Sequence, residues 1–229
     1  MRTRFSVRVL VEIAIFAAMA FVLDLFQGIW FKGIWASGGS LGIAMVPIFV
    51  IAYRRGLLPG IICGLIVSVL QMLGGPYIIQ GRTFDNEFLQ VMGPFIQVSL
   101  DYILAYTVVG FAGAFAHLYA NGKSPKEKLM WIVIGSLFGG LLKFLCHFAA
   151  GYFWLNSWNT FAGIDDSSML YSLVYNGTYC FPNMIVCTGI MVILELVAPF
   201  LLNPKAEIGS GEEKEEEVKE DNEDEVQQA

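Results

Sequence analysis

Six stretches of nearly uninterrupted apolar sequence, most of them close to the length that crosses a bilayer, constrain this chain more than any other feature. A hydrocarbon layer about 30 Å thick takes an α-helix of roughly 17 to 25 residues. Such runs lie near residues 7–26, 40–53, 56–73, 95–118, 129–154 and 177–202. The second is short, so it either starts inside Gly38-Gly39-Ser40 or relies on its neighbours for cover. At 56% hydrophobic and 15% charged residues, the chain needs lipid around it. The expected fold is an all-α integral membrane protein, a six-transmembrane-helix bundle over residues 1–204. Arg2, Arg4 and Arg8 ahead of Ala18-Met19-Ala20 imitate a cleavable signal, but the apolar run continues through Phe26 at full spanning length.

Lys and Arg accumulate in cytoplasmic loops, and here they alternate. Arg2, Arg4 and Arg8, then Arg54 and Arg55, then Lys123, Lys126 and Lys128 fall on one side, against Lys32 and Arg82 on the other. Both termini are therefore expected in the cytoplasm. The formal charge of −6 belongs to the end of the chain: residues 205–229 hold eleven acids and three lysines, which leaves +2 on the remainder. That stretch has too little apolar surface to fold alone and is read as an acidic, disordered cytoplasmic tail. The outer segments 27–39, 74–94 and 155–176 are longer and more aromatic than the inner turns, so function is expected there.

Depth follows from topology. Asp101 lies one to two turns below the outer surface on span four, and an ionisable group at membrane depth faces a cavity or a partner. It either serves a ligand or pairs structurally with Lys143 or His147. On span five, Lys143 lies past the middle and His147 one turn further out on the same face. His147 is a candidate ligand contact, and Lys143 reads as a counter-charge or a snorkelling cation. Tyr171-Ser172-Leu173-Val174-Tyr175-Asn176-Gly177 brings hydroxyls and an amide to the same level. Trp30, Trp35, Tyr77, Trp154 and Trp158 form an aromatic collar, of which Trp30 and Trp158 suit an interfacial belt. One carboxylate, one imidazole, an amide, tyrosine hydroxyls and indole faces suit a flat, cationic, heteroaromatic ligand, since a cation over an aromatic face gains about 0.5 to 2 kcal/mol.

Small residues recur every fourth position, at Gly56, Gly60 and Gly64, at Gly135 and Gly139, and at Ala14 and Ala18. In lipid these let helices approach closely. The glycines suit packing within the bundle, and the alanines are open to docking another membrane subunit. Several chemistries are excluded. Gly122-Lys123-Ser124 lacks the glycine of a phosphate-binding loop, and two distant histidines make no metalloprotease motif. Cys63, Cys146, Cys180 and Cys187 have no ligand spacing, so no metal or cofactor is expected. Nothing marks nucleic-acid binding, and an intramembrane enzyme is disfavoured because no nucleophile accompanies Asp101 and His147.

The order and spacing of Gly38-Gly39-Ser40 to Met45-Val46-Pro47-Ile48, Tyr53-Arg54-Arg55-Gly56, Leu100-Asp101-Tyr102, Leu142-Lys143 to His147-Phe148 and Tyr171-Ser172-Leu173 to Asn176-Gly177 resemble the thiamine-specific substrate-binding components of energy-coupling factor transporters. The resemblance covers residues 6–202. It implies a binding subunit of a prokaryotic cell membrane, without an ATPase of its own, that captures thiamine near the outer face. It also implies site roles for Asp101 at the pyrimidine edge, for His147 and Asn176 as polar contacts, for Tyr102, Tyr171 and Trp154 as lining, and for Trp35 and Tyr77 as aromatic contacts. Ala14 and Ala18 would dock a transmembrane coupling protein that carries two cytoplasmic ATPase subunits. The chain departs from the pattern in having Asp101 where the family usually has Glu, in the long stretch from Pro76 to Pro94, and in its acidic tail. Other vitamins of the riboflavin or pyridoxine type, or a structural membrane subunit, remain as alternatives.

Overall fold

The computed structural model describes residues 6–30, 34, 39–76, 78, 87–154 and 168–203, with backbone alone for Trp30, Leu89, Phe153, Trp154 and Ser168. Trp35, Tyr77, Trp158 and the tail at 205–229 lie outside the described residues. The described residues are helical or irregular throughout. Three helices come first: α1 (Val7–Trp30), α2 (Met45–Arg55) and α3 (Leu57–Met72). The fourth span is one rod of changing pitch. It runs from α4 (Glu87–Val98) through a π turn (Ser99–Leu104), α5 (Ala105–Thr107) and a 3-10 segment (Val108–Phe115) to α6 (Ala116–Ala120). Two long helices, α7 (Pro125–Trp154) and α8 (Ser168–Val197), complete the bundle. Val7–Ile29, Gln90–Ala120, Pro125–Tyr152 and Met169–Val197 are each long and apolar enough to cross a membrane, and Leu57–Met72 is a shorter apolar helix.

Helix α2 is the centre of the bundle. Met45 through Tyr53 are all buried, as expected of a helix that is apolar on every side and enclosed by others. At 1.5 Å per residue it is too short to cross alone. The outer part of this span, predicted to start at residue 40, is instead a non-helical strap, residues 39–44. Irregular backbone at membrane depth survives only where protein satisfies it, and Asn183 does so from α8. Its Oδ1 accepts from the Gly42 N–H at 2.7 Å, and its Nδ2 donates to the Ser40 carbonyl at 2.7 Å.

The glycine stripe on α3 fits into span four. A Cβ on Gly60 would lie 2.8 Å from the Gly110 carbonyl oxygen, one on Gly113 would lie 2.7 Å from Leu57 Cα, and one on Gly64 would collide with the Tyr106 carbonyl. Gly56, at φ 92°, makes the tight inner hairpin between α2 and α3. On that same inner side Arg55 grips Glu12 of α1 through two bonds of 2.6 Å. Arg54 adds a third to Glu12 at 3.2 Å and donates to the Phe200 carbonyl at 2.7 Å. The start of α1, the end of α2 and the end of the described chain thus share one side of the bundle, as the arginine count requires.

Span four starts at Glu87 rather than near 95, and the sixth span starts at Ser168 rather than near 177. Both helices extend outward through polar and aromatic residues that an apolar run does not include.

Candidate functional site

Residues of α1, α3, span four, α7 and α8, with Gly39 and Ser40 of the strap, line a cavity toward the outer end of the bundle. It offers about 130 Å³ to the centres of water-sized molecules. One water needs on the order of 10–15 Å³ by that measure, so the space suits a small organic molecule.

Each wall is set by helical periodicity. Lys143, His147, Ala150 and Gly151 share one face of α7, and Tyr175, Asn176, Tyr179 and Asn183 share one face of α8. Span four contributes Gln97, Asp101, Tyr102 and Tyr106, which a regular 3.6-residue helix would spread over half its circumference. The π turn resolves this. Its i to i+5 bonding brings Gln97 under Tyr102 and Asp101 under Tyr106, so all four reach one cavity. Ser68 of α3 lies at the freed backbone, its Oγ 2.9 Å from the Ile103 carbonyl oxygen and 2.9 Å from that of Gly64.

Two polar clusters line this space. In the first, His147 Nδ1 lies 3.0 Å from Asp101 Oδ1. With its proton on Nδ1 the imidazole donates to the carboxylate, and a second proton makes the contact an ion pair. Asn176 braces it from α8: its Nδ2 lies 3.1 Å from the His147 carbonyl oxygen and 3.0 Å from that of Ser172, while its Oδ1 accepts from Tyr179 Oη at 2.6 Å. The two carbonyls identify which end of the amide is nitrogen. In the second cluster, Asp24 accepts from Gln27 Nε2 at 2.6 Å, from Tyr106 Oη at 2.6 Å and from Gln71 Nε2 at 3.0 Å. The Lys143 ammonium stands 3.5 Å from the centre of the Tyr106 ring.

Residues 10–203 match the profile of the thiamine transporter protein family (Thia_YuaJ). The chain is 34% identical over 196 residues to thiamine transporter ThiT of Bacillus subtilis strain 168, spanning 84% of this chain and 93% of that one. The chain belongs to the thiamine transporter family. A second relative, thiamine transporter ThiT of Lacticaseibacillus paracasei, is 28% identical over 204 residues, covering 86% of this chain and 91% of its own. A solved structure of ThiT from Listeria monocytogenes superposes with a TM-score of 0.69 at 29% identity, covering 86% of this chain and 97% of that one.

In this thiamine transporter family member, Asp101, Tyr102, His147 and Asn176 meet at one cavity. Tyr171 stands behind the wall, its ring stacked on Tyr175 at 5.8 Å and 8°. Trp154 ends α7, but its side chain, like Trp35 and Tyr77, lies outside the described residues. Lys143 neither reaches for the interface nor pairs with Asp101; it lines the cavity against Tyr106. Sequence reasoning missed Asp24, Gln27, Gln71 and Gln97. The rule that marks an ionisable residue inside a span as functional applies to Asp24 as much as to Asp101. The three glutamines carry no such signal. Ala14 and Ala18 are exposed on α1, whose Ile13, Ala17 and Ala20 face the core.

Proposed function

We propose that this chain captures thiamine from the outer side of the plasma membrane as the substrate-binding subunit of an ATP-driven, energy-coupling-factor type importer. The observation that carries this reading is the convergence of Asp101, His147, Asn176 and tyrosine rings on one cavity in a member of the thiamine transporter family. Thiamine joins an aminopyrimidine to a permanently cationic thiazolium. Such a molecule needs a hydrogen-bonding acid for its amino edge, aromatic faces for its rings and a surplus of negative charge.

In this reading Asp101 takes the pyrimidine edge, His147 and Asn176 add polar contacts, Tyr102 lines the site, and Trp154, Trp35 and Tyr77 serve as aromatic contacts. Tyr171 acts through Tyr175, as a backing ring. The chain binds and its partners supply energy. Ala14 and Ala18 dock a transmembrane coupling protein bearing two cytoplasmic ATPases, and the subunit reorients in the membrane to release the vitamin inside.

The test is thiamine titration of the purified protein without ATP, read by tryptophan fluorescence and by thermal shift against a panel of vitamins. Quenching and stabilisation by thiamine are expected. Stabilisation by riboflavin or pyridoxine, and not by thiamine, would overturn the reading.

A further inference from the structure

The Asp24 cluster has no role in the function proposed above, and it is built too deliberately for packing alone. Between Glu12 and Asp24, helix α1 turns apolar or small side chains such as Ile13, Ala17 and Ala20 to the core. A carboxylate at this depth is costly unless it is fully hydrogen-bonded or serves a ligand. Asp24 is hydrogen-bonded and also borders the cavity. Three donors from three elements, Gln27, Gln71 and Tyr106, fix its position, and it still lines the cavity.

The balance of charge around the cavity gives this acid its significance. Among the described residues the lining holds two acids, Asp24 and Asp101, against one lysine, Lys143, with His147 beside Asp101. Lys143 makes no ion pair within 4.0 Å among the described residues; its ammonium rests on the face of Tyr106, whose hydroxyl donates to Asp24. The carboxylate and the ammonium thus meet the same tyrosine, one at its hydroxyl and one at its ring face, without an ion pair between them. Asp24 therefore leaves the lining with one more acid than lysine, in a cavity where screening is weaker than in bulk water. Without it, the acids and the lysine cancel.

We propose that Asp24 is a specificity-determining residue, the fixed negative charge that makes this cavity prefer a cationic ring to a neutral ring of the same shape. The proposal rests on the thiamine reading and adds a residue and a discriminating principle to it. It requires no direct contact with the thiazolium. Gln27, Gln71 and Tyr106 are positioning residues that keep the carboxylate in place.

The experiment measures the affinity of the full-length purified protein for thiamine and for its neutral isostere, in which a thiophene replaces the thiazolium, and takes the ratio of the two. Both ligands share the pyrimidine and the hydroxyethyl arm, so packing defects cancel in the ratio. Wild type should favour thiamine, and Asp24→Asn should lower the preference about tenfold or more. Lys143→Met removes the opposing charge and should raise it. This second variant decides the matter if melting curves show that Asp24→Asn does not fold. Equal losses for both ligands, or a ratio unmoved by either variant, would overturn the proposal. A wild-type protein that binds neither ligand overturns the functional reading itself, a different result.

Discussion

At the scale of single residues, Asp101 and His147 test how much one contact contributes. Their 3.0 Å separation makes each the other's partner, and in the proposed function a ligand's amino group meets a pair already aligned. Asp101→Asn keeps the size and loses the charge, and should weaken thiamine binding more than tenfold, a cost of about 1.4 kcal/mol or more. Undiminished affinity in a fluorescence titration would remove Asp101 from the site. His147→Ala should cost less, because Asp101 remains and Lys143 still shares the cavity; a fall in melting temperature without a fall in affinity would make His147 structural. These two residues and Asn176 were legible in the sequence because arginine bias fixed the depth of each span and polar residues at one depth stand out against apolar surroundings. Gln27, Gln71 and Gln97 were not, since an amide near a span's outer end looks the same whether it faces water, lipid headgroups or a ligand. The role of Lys143 was hidden differently: a long lysine stem past the middle of a span is also suited to reaching outward, and only coordinates place its ammonium on a ring.

At the scale of elements, the pitch changes of span four matter most, and they could not be read from periodicity. A pattern search assumes 3.6 residues per turn, whereas the π turn and the following 3-10 segment depart from it in opposite directions. What could be read was the partner surface, the stripe Gly56, Gly60 and Gly64. Gly64 lies against the Tyr106 carbonyl, and a Cβ there would also stand 2.9 Å from Thr107 Cα. Gly64→Ala should therefore cost about 1–3 kcal/mol by overpacking and displace Tyr106. Gly189→Ala is the control, because nothing lies within 4 Å of a Cβ at Gly189; it should be neutral or slightly stabilising, since alanine is the better helix former. Melting curves of the two variants would distinguish a stripe that sets the register of span four from one that is incidental. The strap invites a kinetic test. Asn183→Ala removes two hydrogen bonds, each of which contributes on the order of 1 kcal/mol, from the segment that carries Gly39 and Ser40 to the cavity. Thiamine should dissociate several-fold faster in stopped-flow fluorescence, and an unchanged off-rate would mean that the strap does not hold the ligand in.

For the whole molecule, the apolar runs were enough to expect an all-helical membrane bundle, and the matched family and superposed structure agree with one. The limits of those runs were legible only where lipid ends and water begins, which is why the outer parts of α4 and α8 and the strap before α2 escaped. In the proposed function, the coupling of this bundle to an energy source is a question about its outside. Helix α1 exposes large apolar side chains along most of its length, with Leu10 at 50% and Ile15 at 53%, and within that surface Ala14 and Ala18 leave a shallow groove one helical turn long. Lipid chains gain nothing from a groove, whereas a second helix gains close approach. Leucine at both positions would fill the groove while leaving Ile13, Ala17 and Ala20 on the core side untouched, so thiamine affinity of the isolated subunit should stay within about twofold, a change of about 0.4 kcal/mol. Copurification with the coupling protein and thiamine uptake by cells should both be lost. Uptake that survives the double substitution would mean that the subunit engages its energy source through another face. The inner cluster of Glu12, Arg54 and Arg55 would then be the place to look, since it ties α1 to the cytoplasmic end of the bundle.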